Sequence, residues 1–365
     1  MEVSYVANRA VWINSFGAAP KAFLSQISPA RYAQFGLYPY PGTGPAGYNN
    51  DADRALLLQP LTSSAVIAKV GHILPYTGFA GTSLQSALYP FPQFGNLLPT
   101  GSPTGDTKYD SLQVKATKRF SRGFQAGGAY TWAKGFTSPT QQDFFNPDAN
   151  PWALQQIPPQ TLTFNFTYTI QKFAILPKFA NEITKDWEIG FFATYQSGAF
   201  LTPPTSTTAN FLTSQDVRVA GQPLYLQNIN NIHSYNPYTD VVLNPAAWQQ
   251  LPANGVGPAA STLYSDFRGP RQPRENGNFG RHFKIKERYD FYIRGEFVNL
   301  FNRTILPNPI TTNPQSSPSK NQAGVLTNGF GVINAYNLPG TAPAPTAGAV
   351  SLLGRTGTVI ARFTF

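Results

Sequence analysis

The clearest pattern in the chain lies at 161–170. Leu162, Phe164, Phe166, Tyr168 and Ile170 alternate without exception with Thr161, Thr163, Asn165, Thr167 and Thr169. Side chains of a strand point to alternate faces, so this segment predicts a strand with one apolar and one polar face. Its length suits a tilted membrane strand of about 9–11 residues. A polar face of Thr and Asn suits a wet lumen better than a soluble exterior rich in Lys and Glu.

The same period recurs along the chain. Residues 1–13 alternate Val3, Tyr5 and Ala7 with Glu2, Ser4 and Asn8. Segments 107–120 and 124–134 read as a hairpin around Ser121-Arg122-Gly123. Segment 186–197 carries Trp187, Ile189, Phe191, Ala193 and Tyr195 on one face. Segment 277–286 carries Phe279, Phe283 and Ile285. In 289–301, Tyr289, Phe291, Ile293, Phe297 and Phe301 alternate with Asp290, Arg294 and Glu296. The closing segment sets Val359, Ala361, Phe363 and Phe365 against Thr358, Ile360, Arg362 and Thr364. An apolar last strand frays in a soluble protein, whereas in a membrane barrel its outer face meets lipid.

About eight strands leave seven connections. Three are short, near 121–123, 171–185 and 287–288. Four are long, at 14–106, 135–159, 198–276 and 302–353, and the first of these contains one short helix near 52–58. Long and short connections alternate strictly, as in an antiparallel up-and-down transmembrane β-barrel with short periplasmic turns and long external loops. On this reading Leu162, Phe164, Phe166, Tyr168, Phe291 and Ile293 face lipid. Aromatics near strand ends, among them Tyr130, Trp132, Trp187 and Tyr289, form interfacial girdles.

Composition sharpens this picture. The 365 residues include 33 Pro and 31 Gly, and only 12% are charged against 14% aromatic. A soluble domain carries roughly 25% charged residues. No run approaches the ~18 apolar residues of a helical span. Cys is absent, which removes thiol catalysis and zinc–thiolate sites. The net charge of +10 is scattered and forms no basic run, so anionic head groups are better partners for it than nucleic acid. Met1 is followed at once by a strand pattern rather than a signal peptide. For an exported protein this implies a fragment or a mis-assigned start.

Several segments resemble the C-terminal part of TonB-dependent outer-membrane receptors, most closely the Oar-like branch with a carboxypeptidase-regulatory-like domain. They are Glu2-Val3-Ser4-Tyr5-Val6-Ala7-Asn8-Arg9, Pro90-Phe91-Pro92-Gln93-Phe94-Gly95 and Tyr109 to Lys115 with Arg119 to Gly123. The others are Ala129 to Gly135, Tyr195-Gln196-Ser197-Gly198, Arg294-Gly295-Glu296-Phe297-Val298-Asn299-Leu300-Phe301-Asn302 and Ala361-Arg362-Phe363-Thr364-Phe365. The resemblance implies a barrel of about 22 strands with a plugged lumen, of which residues 1–365 supply the C-terminal portion, with plug and signal peptide absent. It implies ligand binding and energised uptake at the outer membrane of a Gram-negative-type bacterium. Its implied partners are outer-membrane lipid, the missing barrel strands and plug, the TonB system through that missing part, and an external ligand of unknown class. It also implies that Phe363 and Phe365 are read by the barrel-assembly machinery.

No catalytic constellation stands out, so no enzymatic role, metal or cofactor is expected. His72, His233 and His282 have no second histidine at ligand spacing. Asn49-Asn50-Asp51-Ala52-Asp53 lacks the glycine and distal Glu of a calcium loop and reads as a solvated turn. Arg294 and Glu296 share the lumen face, either as plug or substrate contacts or paired with neighbouring charges. Two alternatives stay open. One is a free-standing eight-stranded outer-membrane protein with adhesin-like binding loops. The other is a secreted β-rich binding protein or carbohydrate-active enzyme, although the 17 acidic residues show no catalytic pair.

Overall fold

The computed structural model describes residues 1–13, 26–40, 42–94, 105–138, 145, 152–172, 177–205, 215–250, 263–285, 289–333 and 354–365. Eight long strands dominate: β1 (Glu2–Ile13), β2 (Gly105–Ser121), β3 (Phe124–Thr137), β4 (Gln160–Thr169), β5 (Trp187–Gln196), β6 (Gln272–Ile285), β7 (Tyr289–Val298) and β8 (Thr356–Thr364). All seven strand pairs are antiparallel and join neighbours in sequence, which is the up-and-down order expected. A two-residue strand, Ala153–Leu154, adds to the end of β3. Among the described residues no ladder joins β1 to β8, so the sheet has two free edges.

Register settles which residues share a face, because residues directly opposite in an antiparallel pair point the same way. Tyr130, Leu162, Tyr195 and Pro273 form one row across β3–β6. Phe166, Phe191, Gly277, Phe297 and Gly357 form a second across β4–β8. Leu162, Phe164, Phe166, Tyr168, Phe291, Ile293 and Phe363 all lie on this apolar face. The opposite face carries Thr163, Asn165, Thr194, Asn278, Arg294 and Glu296.

Aromatics line up along the apolar face. Phe164, Phe166 and Phe191 contact one another with ring centroids 5.7–6.5 Å apart. Trp187 stacks on Phe279 at 5.5 Å, and Tyr289 stacks on Phe363 at 5.9 Å, both near the short-turn end. Trp132 and Tyr130 mark the other end and are exposed.

The β2–β3 turn follows its sequence. Arg122 and Gly123 both have positive φ, 50° and 80°. This is the two-residue hairpin geometry that matches strand twist. Gly123 has no alternative, since a Cβ there would lie 2.2 Å from the carbonyl oxygen of Thr169. The turn expected at 287–288 lies outside the described residues. The connection from β4 to β5 contains a helix, Lys178–Thr184, at this same end.

The long connections are not plain loops. After β1, four short helices, α1 (Pro29–Gln34), α2 (Asn50–Leu57), α3 (Ser64–Val70) and α4 (Leu84–Leu88), pack around Ile27, Tyr32, Leu37, Leu57, Val66, Leu84 and Leu88. The segment 49–53 is no solvated turn. Asn49 caps α2 by accepting from Ala52 N, and Asp53 is buried, accepting from Tyr38 N and the Tyr48 hydroxyl. The connections after β5 and β7 share one core. Leu201, Leu224, Leu243, Trp248 and Phe267 from the former pack with Leu306, Phe330 and Ile333 from the latter. Strand β6 also starts at Gln272, five residues before the expected Gly277. Pro273 and Glu275 on its apolar side conceal the alternation in the sequence.

Candidate functional site

Two regions gather chemistry. The first is the polar face near the short-turn end. Arg294 and Glu296 pair with each other at 2.5 Å rather than with charges of other strands. Arg294 also approaches the Tyr292 ring at 5.7 Å. His282 contacts Asp290 at 2.8 Å and stacks on Tyr292, with ring centroids 4.1 Å apart. Gly280 stands opposite both Glu188 and Arg294. A Cβ on it would lie 2.9 Å from the Tyr292 ring, so the glycine makes room for that side chain. Gly190 likewise stands opposite Asn278, whose amide fills the space a side chain would need. Asn278 Oδ1 and Asp290 Oδ1 are buried with no hydrogen-bond partner among the described residues. Such atoms cost free energy unless something polar meets them.

The second region is a cleft of about 910 Å³ at the long-connection end. Its floor is the apolar row Tyr130, Leu162, Tyr195 and Pro273. One wall is the segment Ile229 to His233, and the other runs from Phe301 to Thr304, with Leu306 behind it. Arg271 lies between them and holds the first wall by donating its backbone N–H to Asn230 Oδ1 at 3.0 Å.

The second wall is built by a compact turn. Asn299 and Asn302 both adopt left-handed backbone, φ 54° and 52°, a conformation that Asn tolerates better than most residues. The Asn299 amide grips the backbone of Arg303 twice, accepting from its N–H at 2.8 Å and donating to its carbonyl at 2.9 Å. Leu300 N donates to Glu275 O at 2.8 Å. These bonds seat Phe301 against Phe191 at 6.3 Å and bring Arg303 Nε within 2.9 and 3.0 Å of both Glu275 carboxylate oxygens. The Glu275 side chain is 0% exposed, so the guanidinium is what makes its burial tolerable.

The connection after β5 also holds a different carboxylate, on the residue whose backbone N–H donates to Pro204 O. Asp216 is fully buried, and neither of its oxygens has a hydrogen-bond partner among the described residues. Burial pushes its pKa up to about 6. On the surface nearby, Arg218 pairs with Asp266 through two hydrogen bonds of 2.9 and 3.1 Å.

The sequence expectations fall across both regions. Arg294 and Glu296 sit in the first. Of the six residues expected to face lipid, Leu162 also lines the cleft, while Phe363 and Phe365 lie at the opposite end of the sheet. The Glu275–Arg303 pair and Arg271 escaped the sequence reading. A Glu in register with Phe279 on the apolar side was the available signal, and it fell outside the strand as delimited. Among the described residues no group of three potential metal ligands occurs, and no helix is long and apolar enough to cross a membrane. Residues 1–340 match a family model described as an outer membrane beta barrel domain. No curated protein and no solved structure matches the chain.

Proposed function

The chain belongs to the outer membrane beta barrel domain family and is thereby a protein of the Gram-negative outer membrane, and we propose that it forms the C-terminal wall of a TonB-dependent receptor. In this reading its role is ligand binding and energised uptake, without catalysis. The apolar face with its aromatic ends meets lipid, the polar face lines the lumen, and the long connections form the external rim.

The observation that carries the reading is the pair of free edges on β1 and β8. An unpaired strand edge in hydrocarbon leaves its N–H and C=O groups unmet, at several kcal/mol each. A free-standing eight-stranded protein would pair these two strands with each other. A larger barrel pairs them with further strands instead. The resemblance of Arg294 to Asn302 and of the terminal Ala361 to Phe365 to the receptor family points the same way.

The test is the mass of the native polypeptide, blotted from outer membranes with an antibody to the rim segment 299–333. A band far above the chain's 39.9 kDa supports the receptor. A band at that mass supports the small adhesin-like barrel and ends the transport claim.

A further inference from the structure

The rim cleft has a composition that the transport reading does not use. Its floor is continuous with the apolar face, since the row Tyr130–Leu162–Tyr195–Pro273 is followed on the same face by Phe164 and then by Phe166 and Phe191. A pathway through the lumen would run along the opposite face. The cleft is thus reached from the side that meets lipid.

Charge is one-sided there. Arg271 and Arg303 line the cleft, with His233 in the first wall, and among the described residues no Asp or Glu does. Glu275 lies beneath it, buried and already engaged by Arg303. Arg271 is exposed and makes no ion pair among the described residues. The amide side chains of Asn230, Asn231 and Asn302 line the cleft beside the two arginines. An aliphatic and aromatic floor opening to the bilayer, under a cationic and amide-rich upper part, matches a molecule with an acyl chain and an anionic head.

We infer that this cleft binds a phosphate-bearing lipid of the surrounding leaflet, its acyl chain along Leu162 and Tyr195 and its phosphate at Arg271. The inference needs the outer-membrane location but not the transport role, so either can fail alone.

The protein purified from outer membranes in neutral detergent is titrated with three probes: dioctanoyl phosphatidic acid, uncharged dioctanoylglycerol and inorganic phosphate. Phosphatidic acid should saturate one site, with the other two at least about tenfold weaker, the scale of one lost charge-assisted contact or one lost apolar anchor. Arg271→Gln should weaken phosphatidic acid by a similar factor. Asn230→Asp keeps the acceptor for Arg271 N–H and places a negative charge beside the phosphate, so it should weaken binding as well. Heat-dependent gel mobility reports that each variant is folded. Equal binding of dioctanoylglycerol would overturn the anionic head, and equal binding of inorganic phosphate would overturn the lipid. Unchanged affinity in folded Asn230→Asp would overturn the site.

Discussion

Asn302 Oδ1 accepts a hydrogen bond from Arg355 N at 2.8 Å, across 53 residues of chain. The contact joins the turn that ends β7 to the first residues before β8. It fixes where the last strand begins its descent, and hence its register on β7, in which Phe291 faces Phe363.

Two substitutions separate the roles of Asn302. Asn302→Gly keeps the left-handed backbone and loses the acceptor. Asn302→Ala loses the acceptor and strains the backbone as well. The expected losses are about 1 and about 2 kcal/mol respectively, read from urea unfolding in detergent micelles. Equal losses would mean that the backbone conformation costs nothing here.

Arg303→Ala should destabilise the rim by about 2–3 kcal/mol, because it leaves the Glu275 carboxylate buried without its cation. Adding Glu275→Gln should recover most of that loss by removing the charge. If the double variant is as unstable as the single one, packing of the arginine stem matters more than the ion pair.

Phe166 and Thr167 are neighbours on opposite faces of β4. Phe166→Arg should cost about 2–4 kcal/mol in lipid, and Thr167→Arg much less. Refolding equilibria in vesicles measure both. A larger loss for Thr167→Arg would invert the assignment of faces.

Phe365 is 86% exposed and touches Phe363, with ring centroids 6.2 Å apart. Phe365→Ser should therefore leave the fold intact once formed while lowering the amount inserted in the outer membrane. Pulse-labelling of outer-membrane fractions distinguishes the two, and normal assembly levels would remove Phe365 from the insertion signal.

Asp216 ties rim stability to pH. Its native pKa, raised to about 6, lies above the 3.8 of an ordinary Asp. Between these values the folded state holds a proton that the unfolded state has released, so stability falls as pH rises through that window. The change is on the order of 2–3 kcal/mol. Proteolysis of the 215–250 segment should accelerate from pH 4 to pH 6.5 in the native protein, and Asp216→Asn should flatten the profile.

The sheet was legible because period-two alternation is a local property. The Leu162–Tyr168 strand could be read residue by residue, and the sequence order of the strands is also their spatial order. The start of β6 was not legible, since Pro273 and Glu275 violate the apolar side. Their explanation, Arg303 and the Asn299–Asn302 turn, is supplied by chain far along the sequence. Of the four helices after β1 the sequence showed α2 alone, as the short helix near 52–58; the other three are 5–7 residues long, too short for a 3.6-residue period to declare itself. Their core forms only when Leu37, Leu57 and Leu84 meet. The cleft escaped for the same reason, as its floor comes from four strands and its walls from segments about 70 residues apart in the chain.

The common core of the connections after β5 and β7 also governs how this surface can diversify. Trp248 and Phe267 on one side rely on Leu306, Phe330 and Ile333 on the other. Neither segment is a cassette that can be exchanged alone. Grafting the 197–271 segment from a homologue without its 299–333 counterpart would present mismatched halves of one hydrophobic interior. Escape from an antibody or a phage that reads this rim is therefore expected to proceed by paired replacement of both segments, or by single changes at exposed positions such as Asn231 and His233 that leave the interior untouched.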